Sequence, residues 1–320
     1  MGRVMNRKGI GVSRLVFFSV VAGLVMLAIA SGGLAASKNV KQKTFSSPED
    51  AAQALLAAAK AQDEREMDAV FGPQGKELVV SRDPAVNKDL FQRFVKAFEE
   101  KNRLDISPDN RALLYVGSNE WPFPVPIVKK GNAWSFDTKQ GKAEIMQRRI
   151  GRNELDTIQS CLAYVDAQKD YAKMTAPKDG RGEYARQFIS DPGKRNGLYW
   201  ETKEGEEPSP LGIFMARARK EGIQPKKTDR PVPYHGYYYR ILTCQGKNAS
   251  GGAKDYVADG RMTGGFALVA YPAEYGATGV MTFIVNKDGV VYEKNLGKKT
   301  AKAAQAIRAF DPDKTWTQVK

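Results

Sequence analysis

The strongest constraint on this chain lies in its C-terminal part, where short apolar runs alternate with glycine-rich turns. Tyr237–Cys244, Gly265–Tyr271, Val280–Val285 and Val290–Tyr292 each concentrate β-branched and aromatic residues. Asn286-Lys287-Asp288-Gly289 supplies hairpin chemistry between the last two. Four such strands form an antiparallel sheet that must cover an apolar face. The chain offers a cover just upstream: from Thr138 to about Ala172 it reads as helix, with Gly151 marking a bend. Within it Leu155, Ile158, Leu162 and Val165 are spaced three, four and three, a narrow seam suited to lie on a sheet. A last helix, about Thr300–Phe310, stops before Asp311-Pro312. The expectation for residues 138–320 is a long helix packed on a four-stranded antiparallel sheet. Residues 174–233 read as a surface excursion rich in Gly, Pro and charge, with short helical pieces at Tyr184–Ile189 and Ile213–Lys220.

The preceding hundred or so residues form a second lobe, 37–137. Ser47-Pro48-Glu49-Asp50 is a helix start, with a capping serine, proline at the first helical position and acidic residues in the first turn. Ala51, Ala52, Leu55, Leu56 and Ala59 give the apolar face. A second helix spans about Asn87–Glu100, striped by Leu90, Phe91, Phe94, Val95 and Phe98. Strands follow at Ala112–Val116, Phe123–Val128 and Ala133–Phe136, the middle one studded with Pro124 and Pro126 and therefore irregular or at an edge. The fold class is α+β: this lobe of helices and a small antiparallel sheet, then the helix-on-sheet lobe.

The first 36 residues read as an address. Arg3, Arg7, Lys8 and Arg14 precede an apolar stretch from Leu15 to Ala30, and small residues close it at Ser31-Gly32-Gly33-Leu34-Ala35-Ala36. That order defines a secretory signal peptide cleaved after Ala35 or Ala36. The alternative is an uncleaved inner-membrane anchor, since the apolar run is near the lower length limit for spanning. Cleavage leaves a periplasmic chain with no stable membrane span. The leader holds only four of the basic residues behind the net charge of +14, so the mature chain stays cationic. Outside the cytoplasm such a surface meets a wall polymer, an anionic lipid surface or another envelope protein, and not nucleic acid, unless the charge serves only solubility.

The reactive inventory is small: one histidine and two cysteines. A single histidine excludes metal centres that need two. Cys161 flanks the helical seam, and Cys244 shares, by alternation, a strand face with Tyr238, Arg240 and Leu242. Both can point into one helix–sheet interface, and an oxidising compartment permits a disulfide; the alternative is two buried thiols that never meet. His235 invites a Cys–His hydrolase with Asp255 or Glu274 as orienter, but Cys244 lies in an apparently continuous strand and no nucleophile motif surrounds it. The glycines between 246 and 265 match no phosphate loop, and neither Asp255–Asp259 nor Asn286–Asp288 has calcium-loop spacing. The reading therefore assigns no catalytic residue, no metal and no cofactor. Candidate ligand contacts are Tyr234, His235, Tyr237, Tyr239, Tyr271, Glu274 and Tyr275, an aromatic platform for sugar or peptide whose bland alternative is half-buried packing.

The segments Pro233-Tyr-His-Gly-Tyr-Tyr-Tyr-Arg-Ile-Leu, Gly264-Gly-Phe-Ala-Leu-Val-Ala-Tyr-Pro-Ala-Glu-Tyr-Gly and Gly279-Val-Met-Thr-Phe-Ile-Val-Asn-Lys-Asp-Gly resemble the bacterial family catalogued as domain of unknown function 2950. The Ser-Pro-Glu-Asp start, Trp134-Ser-Phe-Asp137 and Asp311-Pro-Asp-Lys-Thr-Trp316 extend the resemblance from about Phe45 to the C-terminus. It implies an exported envelope protein and carries no catalytic residue. The C-terminal lobe is also similar to pilin-like heads, and the N-terminal lobe, on architecture alone, to small cystatin-like folds. The leading functional expectation is a non-enzymatic periplasmic protein that binds or supports an envelope component. Two alternatives stand beside it: a periplasmic hydrolase using His235 with a carboxylate, and a small-ligand carrier whose pocket is lined by Phe91, Phe94, Phe98 and Trp134.

Overall fold

A computed structural model describes residues 41–73, 75, 78, 84–177, 180, 182–220 and 232–320. The expected leader, residues 1–36, lies outside the described residues. The chain divides into two compact units, one ending at Arg148 and the other beginning at Arg149.

In the first unit, helix α1 (Pro48–Ala61) starts as its sequence dictates: Ser47 Oγ accepts from Asp50 N at 3.0 Å. It ends at Gln62, whose left-handed backbone (φ 53°) returns its N–H to the last carbonyls. Helix α2 (Glu64–Phe71) follows, capped by Asp63 and burying Met67, Val70 and Phe71. Helix α3 (Pro84–Glu100) leads to strands β1 (Asn102–Ser107), β2 (Arg111–Val116), β3 (Trp121–Pro122), β4 (Ile127–Lys130) and β5 (Ala133–Phe136). Their antiparallel order is β1-β2-β4-β5, with β3 also on β2. Of the segment Phe123–Val128, expected as one strand, only Ile127 and Val128 enter β4; the residues before them, with Pro124 and Pro126 unable to donate to a ladder, are irregular. Phe91, Phe98 and Trp134 are buried, and Phe94 packs on Phe98 and Phe123 at ring distances of 5.8 and 5.6 Å. The rings expected to line a ligand pocket are thus core.

Helix α4 (Thr138–Thr175) crosses the division and runs unbroken through Gly151. After it the described residues are irregular until helix α5 (Gly212–Lys220). The helical piece expected at Tyr184–Ile189 does not form, because the Gln168 amide takes both the N–H and the carbonyl of Ala185 at 2.8 Å and Tyr184 N–H goes to Met262 O. Nor is the excursion wholly superficial, since Ala185, Leu198, Tyr199 and Leu211 are buried in the core of this unit.

Strand β6 (Tyr237–Leu242) opens the main sheet. Short ribbons follow from β7 (Cys244–Gln245), β8 (Lys254–Asp255), β9 (Val257–Ala258) and β10 (Arg261–Met262). Then come β11 (Ala267–Pro272), β12 (Met281–Asn286) and β13 (Val291–Asn295), helix α6 (Thr300–Ala306) and β14 (Thr317–Gln318). The sheet order is β14-β13-β12-β11-β6, antiparallel throughout, so a fifth short strand joins the four expected. Both faces are covered. Tyr237 and Tyr239 reach α4 through Glu154 and Thr157, whereas Arg240, pointing oppositely, donates to Ala304 O and Ile307 O at the end of α6. Strand β11, paired on both sides, is buried at all six positions.

Candidate functional site

The buried face of α4 is more polar than its aliphatic seam suggested. Leu155 is 66% exposed, while Thr157, Cys161, Tyr164, Val165 and Gln168 are buried. Several polar tips on and opposite this face have defined partners. Asn153 Nδ2 donates to Thr278 O at 2.8 Å. Glu154 Oε1 accepts from Val280 N at 2.8 Å and Met281 N at 2.9 Å, which fixes the start of β12. Tyr237 Oη donates to Met281 O at 2.9 Å, Tyr239 Oη lies 3.3 Å from Thr157 Oγ1, and Tyr164 Oη donates to Ala267 O at 3.2 Å. Burial pushes all three phenols above their ordinary range. Tyr237 and Tyr239 are therefore engaged in the helix–sheet interface rather than presented to a ligand.

The chain's one imidazole sits at the turn that launches β6. Tyr234 and Tyr237 exchange main-chain hydrogen bonds of 2.9 and 3.0 Å around His235 (φ 47°) and Gly236 (φ 74°). Two positive φ values in sequence define a tight hairpin turn. Gly236 is required there: a Cβ would fall 2.7 Å from Asn153 Nδ2 and 2.8 Å from Thr278 Cβ. His235 Nδ1 lies 3.4 Å from Asp156 Oδ2, and Arg152, one helical turn earlier, also acts on Asp156. Half-burial holds the Arg152 guanidinium below its ordinary range, while Asp156 opposes that shift. The Tyr234 ring stacks edge-on to His235 at 4.1 Å, and Phe214 of α5 packs on Tyr234 at 4.9 Å. The carboxylate facing His235 is thus Asp156, which the sequence reading did not single out. Its signal was available, since Arg152 and Asp156 are an i, i+4 pair on the face next to Glu154.

The other candidates are dispersed. Tyr271 is buried and stacks on Tyr238 at 5.7 Å on the opposite, α6 side of the sheet. Glu274 is exposed and Tyr275 half-buried in the 273–279 loop, which is tied to the turn by Ala273 N–H donating to Gly236 O at 2.9 Å. The seven residues expected to form one platform therefore split between a helix-covered face, the opposite face, a turn and a loop.

The expected disulfide is absent: Cys161 and Cys244 are both free. The parity argument for it required β6 to run through Cys244. The strand stops at Leu242, and Cys244 belongs to the β7–β8 ribbon, donating through Sγ to Arg308 O at 3.4 Å. Burial pushes the Cys161 thiol up to about 12. Partial burial, then Asp255, also raises Cys244. A thiol held protonated is a poor nucleophile. Among the described residues no group of three or more His, Cys, Asp and Glu could hold a metal ion. None of their helices is long and apolar enough to cross a membrane.

These features define an α+β protein whose second unit clamps a five-stranded antiparallel sheet between a polar-faced helix and a short one. The chain matches, over residues 42–319, the family described as "Protein of unknown function (DUF2950)", and it belongs to that family. No curated protein and no solved structure matches it.

Proposed function

We propose that this protein is a non-enzymatic binding or structural component of the bacterial cell envelope, exported by the cleavable leader at residues 1–36. The leader pattern and the cationic mature chain supply the compartment and the partner class: a wall polymer, an anionic lipid surface or another envelope protein. The observation that carries the non-enzymatic part is the engagement of the reactive groups. Both thiols are held protonated, and the hydroxyls of Tyr164, Tyr237 and Tyr239 are tied between helix and sheet. Fractionation of producing cells tests the reading: the protein should appear in the periplasm, shortened by its leader, and be retained by isolated wall or outer membrane. Full-length product soluble in the cytosol, or mature product retained by neither fraction, overturns it.

One observation favours a second reading, a periplasmic hydrolase. An imidazole facing a carboxylate, as His235 faces Asp156, is two-thirds of a hydrolytic triad. Screening wild type and His235→Ala against ester and peptide substrates decides it; turnover abolished by the substitution would replace the binding reading.

A further inference from the structure

On the α6 side of the main sheet the chain builds a groove. After α6 stops, Ile307 turns extended (ψ 114°) and the following residues run beside the β7 ribbon. Phe310 N donates to Cys244 O and Gly246 N to Phe310 O, both at 3.0 Å, while the Cys244 thiol holds Arg308 O. The Arg240 guanidinium secures the near end by donating to Ala304 O at 2.9 Å and Ile307 O at 2.6 Å. The result is a cleft of about 300 Å³ lined by Ile284, Ile307, Arg308, Ala309, Asp311 and Trp316.

Its polar groups are only partly engaged by the described residues. Asp311 Oδ1 accepts from Asn248 N at 2.8 Å, and the carboxylate lies over Gly246, where a Cβ would come within 2.3 Å of Asp311 Cγ. Oδ2 has no hydrogen-bond donor among the described residues. Arg308 is exposed and has no ion-pair partner among them. Burial, and to a lesser extent the neighbouring Arg308, holds Arg240 below its ordinary range, so positive charge gathers behind this end of the groove. Lys294 Nζ adds positive charge 5.7 Å from the centre of the Trp316 ring.

An apolar floor, an indole, a pre-set carboxylate oxygen and a free guanidinium make an unusual set of neighbours. A plain anion has no use for Ile284 and Trp316, and a plain hydrophobe leaves Arg308 and Asp311 idle. A ring with an apolar face, hydroxyl donors and a negative charge uses all four: its face on the indole, its hydroxyls on Asp311 Oδ2 and its charge on Arg308. We propose that this groove binds one carboxylate-bearing sugar residue of an envelope glycan. The volume lies at the lower end of the roughly 300–1,000 Å³ typical of small-molecule sites, which suits a single ring rather than an extended chain. The inference rests on the envelope-binding reading and names its ligand class.

Calorimetric titration with N-acetylmuramic acid, and with N-acetylglucosamine as the uncharged control, tests it on the mature protein. The acid should bind about five-fold tighter than the neutral sugar, and Arg308→Gln should erase that preference. Trp316→Ala should weaken both sugars by about ten-fold or more. Because Trp316 also packs on the core, the exposed Arg308 variant keeps the test independent of folding. Equal binding of the two sugars, an unchanged preference in Arg308→Gln, or no binding of the acid by wild type at about 10 mM overturns the groove assignment. Retention on isolated wall separates the two readings. Wild type and both variants retained alike sinks the groove alone, whereas wild type retained by no envelope fraction sinks the broader reading.

Discussion

Alkaline pH should unfold the second unit through a group that neutral-pH experiments never see. Cys161 is completely buried on α4, and its thiol is pushed from 9.0 up to about 12 by loss of hydration. In the unfolded chain it ionises near its ordinary value. Between these two values the folded state therefore binds more protons than the unfolded state, and stability falls as pH rises. The contribution is complete below pH 9. The loss from this one thiol is about 1.5 kcal/mol by pH 10 and about 2.5–3 kcal/mol by pH 11. The phenols of Tyr164, Tyr237, Tyr239 and Tyr256, all raised chiefly by burial, steepen the fall above pH 10. Cys161→Ala isolates the thiol. Its small cavity should cost about 1–2 kcal/mol at pH 7, yet the variant has no sulfur to ionise. Urea unfolding followed by far-ultraviolet circular dichroism at half-unit steps from pH 7 to 11 should show the gap closing and the curves crossing between about pH 9.5 and 10.5. A gap that stays constant across the range would refute burial of a neutral thiol as the cause.

Other outcomes follow from the same interface. Glu154→Ala leaves the amides of Val280 and Met281 without their acceptor and should cost about 2–4 kcal/mol in urea unfolding, with Glu154→Gln losing about half as much. A loss below about 0.5 kcal/mol for the alanine variant would mean that solvent serves those amides equally well. Gly279→Ala sets a Cβ 2.1 Å from Tyr237 Oη against a fully buried ring, so stability should drop by more than about 2 kcal/mol and part of it should return in the double variant with Tyr237→Phe. Mass spectrometry of denatured, unreduced protein should find two free thiols. Iodoacetamide should alkylate Cys244 in the native protein well before Cys161, and equal rates would contradict the burial difference between them.

Where local chemistry decides structure, the sequence reading and the fold agree. Ser47 caps α1, and Asn286-Lys287-Asp288-Gly289 turns β12 into β13, with Gly289 at φ 77°. Where tertiary partners decide, periodicity misleads. An aliphatic seam on α4 includes exposed Leu155 and leaves out buried Thr157 and Gln168, because a polar residue can be buried once another chain segment satisfies it. β1 escaped notice because its residues are mostly exposed, as an edge strand allows. α2 could have been found, since Asp63 caps it and Met67, Val70 and Phe71 recur at helical spacing. For the candidate site, the Tyr234–His235 turn was legible as punctuation. Its pairing with Asp156 was not, because 78 residues of intervening chain had to fold before helix and turn could meet.

Strand β11 has one more consequence. Because Ala267 through Pro272 are enclosed on every side, this hexapeptide offers drift no neutral letter: a longer side chain collides, a shorter one opens a void, and a charged one is stranded. Natural variation among kindred chains should therefore thin out here first, leaving a fingerprint written by the fold itself, whatever the protein's task.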